Sequence, residues 1–255
     1  MLLAVDVGNT HTVLGVFDDG KLVADWRVAT HHDHTCDELG IVWRSLFEQG
    51  ERSHGDLDGM IVSSVVPDLD GPIAGTGEKY FKQTPIFVGP GIKTGLPILY
   101  ENPHEVGADR IVNAVAAKER YGAPVVVLDF GTGTTFDVVS TNGEYLGGII
   151  APGLTVSAEA LFKKAARLHQ VEVRRPEHVI GRNTEESLRG GLYFGYLSMV
   201  EGLIKRINES LDGPAPVIAT GGLASVFADD LDALHAVDPG LTLEGLRLIW
   251  KRNRP

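Results

Sequence analysis

The sequence predicts a mixed α/β protein made of two related domains, and three observations support this fold class. A chain of 255 residues, 43% of them hydrophobic, is long enough to bury one large core or two small ones. Short apolar runs that end in Gly-rich turns alternate with segments of helical periodicity, as in layered α/β domains. The first hairpin of the chain also recurs near the middle of the sequence. We therefore predict two domains, residues 1–121 and 122–255, that face each other across a central cleft.

The repeat is visible when the N-terminus is aligned with the segment that begins near Val125. Asp6 and Asp129 are 123 residues apart, and each ends an apolar run before a Gly-containing turn, in LAVDVGNTHT and VVLDFGTGTT respectively. At the same offset the turn Asp18–Lys21 aligns with Thr141–Glu144, and their Asp-Gly and Asn-Gly pairs are strong hairpin signals. Two hairpins can resemble each other by chance, but the gap-free register favours duplication. Each half is predicted to begin with three strands.

Helical periodicity and turn signals place the remaining elements. Thr35 and Glu38 form a capping box that predicts a helix ending near Gln49. Tyr121–Pro124 is predicted to link the domains. The other predicted helices are Asp68–Lys82, Glu105–Tyr121, Leu154–Arg167, Asn183–Leu211, Gly222–Phe227 and Thr242–Trp250, and the other predicted strands are Gly59–Val65, Ile86–Val88 and Pro216–Ala219.

Composition restricts the partners and the compartment. The net charge of -11 repels nucleic acid, so any phosphate site has to be built locally. The single cysteine, Cys36, cannot form an internal disulfide, which fits the reducing cytoplasm. The N-terminal apolar run stops at Asp6, and no apolar stretch approaches the ~20 residues that cross a bilayer. We therefore predict a cytoplasmic protein without membrane or nucleic-acid partners.

The two Asp-x-Gly turns are candidate phosphate and cation sites. Bare backbone N–H groups and small hydroxyl side chains can approach phosphate oxygens closely at such turns. Asp6 and Asp129, at the ends of their strands, are suited to hold a hydrated Mg²⁺ or a monovalent cation. A single loop of this kind is more often a plain turn, but two loops at one offset favour function. The turn Ala219–Leu223 follows a strand and has room for a flat ring or a ribose, although a Gly pair there also suits close packing.

Gly107-Ala108-Asp109-Arg110 opens a predicted helix with a carboxylate beside a guanidinium. An Asp can accept the proton of an attacking hydroxyl, and an Arg can bind a substrate carboxylate with two hydrogen bonds. The alternative is that Asp109 only stabilises the helix dipole while Arg110 lies at the surface. The tract His31–Cys36 suggests a metal site, but its ligands are nearly contiguous and no second cluster completes a shell, which favours a solvated loop.

Four separated motifs carry a family resemblance that extends over essentially the whole chain. They are Asp6-Val7-Gly8-Asn9-Thr10, Gly107-Ala108-Asp109-Arg110, Asp129-Phe130-Gly131-Thr132 and Asn183-Thr184-Glu185-Glu186-Ser187. Their order and spacing resemble those of type III pantothenate kinases. The resemblance implies a duplicated actin-like (ribonuclease H-like) fold with ATP in its central cleft, a homodimer, and transfer of the ATP γ-phosphate to pantothenate, the first step of coenzyme A biosynthesis.

The resemblance also implies roles for individual residues. Asp109 would be the general base, and Asp129 would hold the K⁺ or NH₄⁺ that the family requires, while Mg²⁺ accompanies ATP. Thr132 would add a nucleotide contact from the second hairpin, and the ATP phosphates would be lined by Asp6, Val7, Gly8, Asn9, Thr10, His11, Thr12 and Val13. Pantothenate would be bound by Tyr100, Gly107, Ala108, Asp109, Arg110 and Thr184. Two other functions stay open from the residues themselves: a kinase of another small hydroxy acid or sugar, and an ATP-gated regulatory protein of the same fold.

Overall fold

The computed structural model describes residues 1–50, 54–165, 170–211 and 213–254. They belong to two compact units, of which the first contains Met1–Ala116 and Gly240–Pro255 and the second contains Ala117–Pro239. The second unit therefore begins at residue 117 instead of the predicted residue 122, and it ends at residue 239 instead of residue 255. The last helix returns to the first unit because it packs on three of that unit's strands. None of the described helices is both long enough and apolar enough to span a membrane.

The strands form two five-stranded sheets, one in each unit. The first sheet has the order β3-β2-β1-β4-β5, and the second has the corresponding order β8-β7-β6-β9-β10. In each sheet the first strand pairs antiparallel with the second and parallel with the fourth. This shared topology confirms the prediction that the two halves of the chain repeat one architecture. The strands are β1 (Leu2–Val7), β2 (His11–Asp18), β3 (Lys21–Ala29), β4 (Gly59–Ser64), β5 (Ile86–Phe87), β6 (Val125–Phe130), β7 (Gly133–Val139), β8 (Tyr145–Pro152), β9 (Val217–Gly221) and β10 (Leu234–Val237).

The gap-free offset predicted between the two halves is wrong for one strand. Strands β1 and β6 correspond at 123 residues, but Leu14 of β2 corresponds to Phe136 of β7, which is 122 residues away, by pairing and burial. The turn before β7 is one residue shorter than the turn before β2, and the following turn is one residue longer. The offset therefore returns to 123 at Gly20 and Gly143, which have φ of 77° and 76°.

The helices lie close to their predicted positions, with differences at the ends. They are α1 (Cys36–Gln49), α2 (Pro67–Thr76), α3 (Ala108–Tyr121), α4 (Leu154–Lys164), α5 (Thr184–Glu209), α6 (Ala224–Phe227) and α7 (Leu241–Asn253). The predicted helix to Lys82 divides into α2 and a π-helical turn, Gly77–Phe81. The helix predicted to begin at Glu105 begins at Ala108, after a separate 3₁₀ turn. The predicted end at Arg167 lies outside the described residues.

One strand, β10, was not predicted from the sequence. Its four residues, Leu234–Val237, pair parallel with β9 and include a register shift. A segment this short and only partly buried carries no clear period-2 pattern, so its sequence resembles that of a loop. The predicted linker Tyr121–Pro124 is also different, because α3 runs continuously across the boundary between Ala116 and Ala117.

Each unit has its own hydrophobic core. In the first unit, Trp43 and Phe47 of α1 are fully buried against the sheet. The capping box that predicted this helix is present: the Glu38 N–H donates to Thr35 Oγ1 over 3.3 Å, and the Thr35 N–H donates to Glu38 Oε2 over 2.8 Å. In the second unit, Tyr193 and Tyr196 of α5 pack with Phe227 of α6 and with the sheet.

Candidate active site

The first candidate site lies at the carboxyl edge of the first sheet. Strands β1, β4 and β5 run parallel, so their carboxyl ends meet at one edge, where open α/β sheets bind ligands. Val7 and Ser64 are paired there, and the Val65 N–H donates to the Val7 carbonyl over 3.0 Å. The structure thereby places the predicted phosphate hairpin beside the residues that follow β4.

The hairpin of residues 6–13 presents an exposed tip on a buried base. Val7 and Thr12 are buried, whereas Asn9, Thr10 and His11 at the tip are exposed. Asp6 is half-buried at the end of β1, opposite Val13 of β2 and the buried Ser63 of β4. Three carbonyls of the turn accept hydrogen bonds from the same unit: Asn9 from His32, Thr10 from the Thr30 N–H, and His11 from the Gly8 N–H. The tip is therefore exposed to solvent, but hydrogen bonds hold its backbone in place.

Asp109 stands in the first turn of α3, directly after Gly107 and Ala108. Burial raises the pKa of its carboxyl group, and the neighbouring Arg110 opposes this through its backbone N–H, 2.8 Å from Asp109 Oδ1, and through its positive charge. A Cβ atom added to Gly107 would lie 2.6 Å from Asp109 Oδ1, so this position needs glycine for the carboxylate to keep its place. Arg110 is only 7% exposed, which contradicts the alternative of a surface arginine.

A pocket of about 600 Å³ opens at the same edge of the sheet. Its walls come from three separate parts of the chain: the residues after β4, the loop after β5, and the start of α3. Gly107 and Ala108 belong to the wall, and Asp109 directly follows them in the sequence. Most of the lining is apolar, while Ser64, Thr94, His104 and Glu105 supply polar groups. The sequence analysis missed these residues, apart from the segment at Gly107, because no local motif marks them.

The second unit contains the corresponding hairpin between β6 and β7. Asp129 is half-buried at the end of β6, and the next turn is exposed at Gly131 and Thr132. The backbone at Gly221, at the end of the adjacent β9, has φ of 90° and would place a Cβ 2.4 Å from Asp129 Oδ1. Gly221, the first glycine of the turn Ala219–Leu223, therefore leaves space for the Asp129 carboxylate, a role that the sequence analysis had not assigned.

The base of the second hairpin is held by α5. The hydroxyl groups of Thr134 and Tyr196 form a hydrogen bond in the buried core, and burial raises the pKa of Tyr196. The Gly153 N–H donates to the Thr132 carbonyl over 3.1 Å, as the Thr30 N–H does to Thr10 in the first unit. By this hydrogen bond Thr132 corresponds to Thr10, and the residue without a counterpart in the second turn is Asn9.

Four of the predicted substrate residues, Tyr100, Asp109, Arg110 and Thr184, are not among the residues that line the pocket. Tyr100 is half-buried, two residues beyond Ile98, which lines the pocket. Thr184 is exposed at the start of α5, where Asn183 and Glu186 cap the helix: Asn183 Oδ1 accepts the Glu186 N–H over 2.9 Å. Thr184 belongs to the second unit and Tyr100 to the first.

The side chains of the His-rich tract contact one another and the first hairpin. Over the described residues, no group of three or more His, Cys, Asp or Glu side chains is arranged to hold a metal ion. His31 and His34 instead place their rings 4.8 Å apart, and His32 contacts the hairpin tip.

The sequence profile described as type III pantothenate kinase matches residues 2–206. The chain belongs to the type III pantothenate kinase family. It is 55% identical over 253 residues to a type III pantothenate kinase of Myxococcus xanthus, with 99% of each chain covered. It is 51% identical over 255 residues to one of Geobacter sulfurreducens, with both chains fully covered. The family resemblance and the pantothenate kinase class predicted from the sequence are confirmed.

Solved structures of low sequence identity share the fold of this family member. A Campylobacter jejuni protein described as a Baf family transcriptional activator has a TM-score of 0.64 at 20% identity, with 98% of each chain covered. A protein of Sinorhizobium meliloti described as a 2-dehydro-3-deoxygalactonokinase has a TM-score of 0.61 at 13% identity, with 100% of this chain and 97% of the other covered. Together with the two repeated sheets, this confirms the duplicated actin-like fold.

Proposed function

We propose that this chain transfers the γ-phosphate of ATP to the primary hydroxyl of pantothenate, giving 4′-phosphopantothenate and ADP. The observation that carries the proposal is the half-buried carboxylate of Asp109, which directly follows two wall residues of a pocket at the carboxyl edge of the first sheet, next to the phosphate hairpin. Membership of the pantothenate kinase family supports pantothenate as the acceptor.

In the proposed reaction Asp109 accepts the proton of the attacking hydroxyl. The hydroxyl oxygen bonds to the γ-phosphorus, the bond from that phosphorus to the bridging oxygen breaks, and ADP leaves. A carboxylate whose pKa is raised by burial is a stronger base than one in water, so it suits proton removal from an alcohol. Arg110 keeps a positive charge beside Asp109 and favours its ionised form.

The pocket suits an acceptor that is partly apolar and partly polar. A volume of about 600 Å³ falls within the usual range for small-molecule sites. Val88, Ile92 and Ile98 offer apolar surface to the branched carbon skeleton of pantothenate, and Ser64 and Thr94 offer hydroxyl groups to its amide and hydroxyls. We also propose that pantothenate contacts Tyr100, Arg110 and Thr184.

The two hairpins are the proposed phosphate sites. The exposed backbone at Gly8–Thr10 and the hydroxyl of Thr132 offer donors to phosphate oxygens, and Asp6 would face the Mg²⁺ that ATP brings. Asp129 supplies a carboxylate beside the backbone of the turn and Gly221, where carbonyl oxygens could complete a cation site. A single carboxylate with carbonyl groups fits a weakly held K⁺ or NH₄⁺ better than a resident divalent ion. When bound, this cation would offset phosphate charge.

A homodimer is proposed through the outer face of the second sheet. Strand β8 lies at the edge of that sheet, where unpaired backbone groups favour association. Exposed apolar side chains follow one another on β8 and the next helix: Leu146, Ile150, Val156 and Leu161 are 40%, 67%, 40% and 39% exposed. Such a surface is typical of a protein interface.

Direct detection of the product by phosphorus NMR tests the function. Purified protein with ATP, Mg²⁺ and K⁺ is expected to phosphorylate pantothenate and to leave glucose, N-acetylglucosamine and N-acetylmannosamine unmodified. Asp109→Asn should lose most turnover, whereas the exposed Asp68→Asn in the first turn of α2 should keep it. Phosphorylation of a sugar in place of pantothenate would show that the acceptor is wrong, and full activity of Asp109→Asn would show that the base is wrong.

A further inference from the structure

The tip of the first hairpin contains one residue that the second hairpin lacks. The Thr30–Thr10 and Gly153–Thr132 hydrogen bonds correspond, as do the closing bonds from Gly8 to His11 and from Gly131 to Gly133. Asn9 is therefore the additional residue. An additional exposed residue makes a turn more variable unless another group holds it.

His32 supplies that group. Its Nε2 atom lies 3.2 Å from the Asn9 carbonyl oxygen, and since a carbonyl only accepts, the imidazole has to donate from a protonated Nε2. At the 123-residue offset the corresponding position of the second unit is Thr155 in α4, so no imidazole stands at that position. The hydrogen bond from the His32 side chain is thus made to Asn9, the additional residue of the first turn.

The hydrogen bond determines the direction of one peptide group. The peptide bond between Asn9 and Thr10 is planar and trans, so its C=O and N–H point in opposite directions. With the carbonyl of Asn9 turned toward His32, the Thr10 N–H is turned away from it. The Thr10 and His11 carbonyls are held by backbone donors.

We propose that His32 is a positioning residue for the ATP phosphates: its hydrogen bond fixes the orientation of the Asn9–Thr10 peptide in the exposed phosphate turn. This inference rests on the proposed phosphate role of the hairpin. His32 itself need not contact the nucleotide. Loss of its hydrogen bond would let the peptide rotate, which would weaken ATP binding while leaving the pantothenate pocket intact.

Three variants separate this role from a general effect of the His-rich tract. His32→Ala removes the donor, while His32→Gln places an amide Nε2 the same number of bonds from Cα and can restore the hydrogen bond. His31→Ala is the matched control, because His31 is equally exposed in the same loop and contacts His34 instead of the hairpin. The melting temperature of each variant shows whether the fold is kept.

The measurements are the Kd for ATP by calorimetry and the KM values for ATP and pantothenate. We expect His32→Ala to raise both ATP constants about three- to tenfold, as loss of one hydrogen bond would, with pantothenate KM unchanged. His32→Gln should return within about twofold of the wild type, and His31→Ala should match it. Unchanged ATP constants in His32→Ala, an equal loss in His31→Ala, or failure of the Gln variant to recover would overturn the inference. Failure of the proposed function looks different, because the wild type itself would then make no 4′-phosphopantothenate, while its Kd for ATP would still test His32.

Discussion

The carboxylate of Asp109 must be ionised to accept a proton, yet its surroundings disfavour ionisation. Burial raises its pKa, and the Arg110 N–H and guanidinium only partly oppose this shift. We expect kcat/KM for pantothenate to fall as pH is lowered through this raised pKa, above the usual Asp range near 3.9. A pH–rate profile with saturating ATP measures it. An acid limb at or below the ordinary Asp value would contradict the role of burial.

The same pKa shift has a consequence for stability. Because the folded-state pKa lies above the unfolded one, the folded protein binds this proton more tightly, so ionised Asp109 lowers the stability at neutral pH. This loss disappears as pH falls through the folded pKa. We expect Asp109→Asn, which is neutral throughout, to have an unchanged or raised melting temperature at pH 7 while kcat falls about 10²- to 10⁴-fold. A lowered melting temperature would mean that the carboxylate stabilises the fold instead.

Gly107 keeps space for the Asp109 carboxylate. In Gly107→Ala the new Cβ would lie 2.6 Å from Oδ1, and since a side-chain end can move, the carboxylate should shift while the fold survives. We expect kcat to fall at least about tenfold, as small displacements of reacting groups do, with little change in melting temperature. Gly71→Ala in α2, where a Cβ meets open space, is the control and should keep its activity. Wild-type kcat in Gly107→Ala would contradict this account.

Asp129 is the residue on which the monovalent cation hypothesis depends. Its carboxylate lies near the end of β6, close to Gly221 at the end of the adjacent β9. We expect wild-type activity to rise when KCl replaces choline chloride at equal ionic strength, and Asp129→Asn to lose this response. Initial rates over a range of KCl measure it. A variant that still responds to K⁺ like the wild type would place the cation elsewhere.

At the scale of elements, close packing of α7 on α3 explains why the end of the chain belongs to the first unit. Gly245 of α7 lies so near the Val112 backbone of α3 that a Cβ would be 2.1 Å from the carbonyl oxygen. Thr242 adds a hydrogen bond of 2.7 Å from its hydroxyl to Asn113 Oδ1, whose residue is almost completely buried. Two helices far apart in sequence thus form one side of the unit.

Gly245→Ala should therefore destabilise the protein. A backbone carbonyl cannot rotate away from the new methyl group, so the helices have to separate, and we expect a loss of roughly 1–3 kcal/mol in the free energy of unfolding. Gly202→Ala in α5, where the Cβ position is open, should instead be neutral or stabilising, because Ala favours helix. Urea denaturation of both variants measures the difference. Equal stabilities would mean that the two helices can part without cost.

At the scale of the whole molecule, the apolar residues of β8 and α4 predict association. Ile150 is 67% exposed on the edge strand, and Ile41 is 66% exposed on α1 of the other unit. We expect Ile150→Asp to convert a dimer into a monomer, because it places a charge in the proposed interface, whereas Ile41→Asp should stay dimeric. Light scattering after size-exclusion chromatography measures the mass. A monomeric wild type, or a dimer in both variants, would exclude this surface.

Much of the fold follows from local signals in the sequence. Apolar runs followed by Asp-Gly or Asn-Gly turns predicted the hairpins, and the Thr35–Glu38 capping box predicted the start of α1. These signals suffice because neighbouring residues decide turn and cap geometry. Strand β10 escaped prediction, since a four-residue strand at a sheet edge depends on its partner β9 more than on its own pattern.

The sequence by itself determined the α/β class, the duplicated hairpins, the family, and the residue types of the site. It could not determine the one-residue difference between the two phosphate turns, because only strand pairing shows that Leu14 corresponds to Phe136. The pocket wall, the partial burial of Asp109 and the return of α7 to the first unit were likewise decided by tertiary structure. The physical reason is the same in each case: desolvation and close packing depend on which distant segments meet.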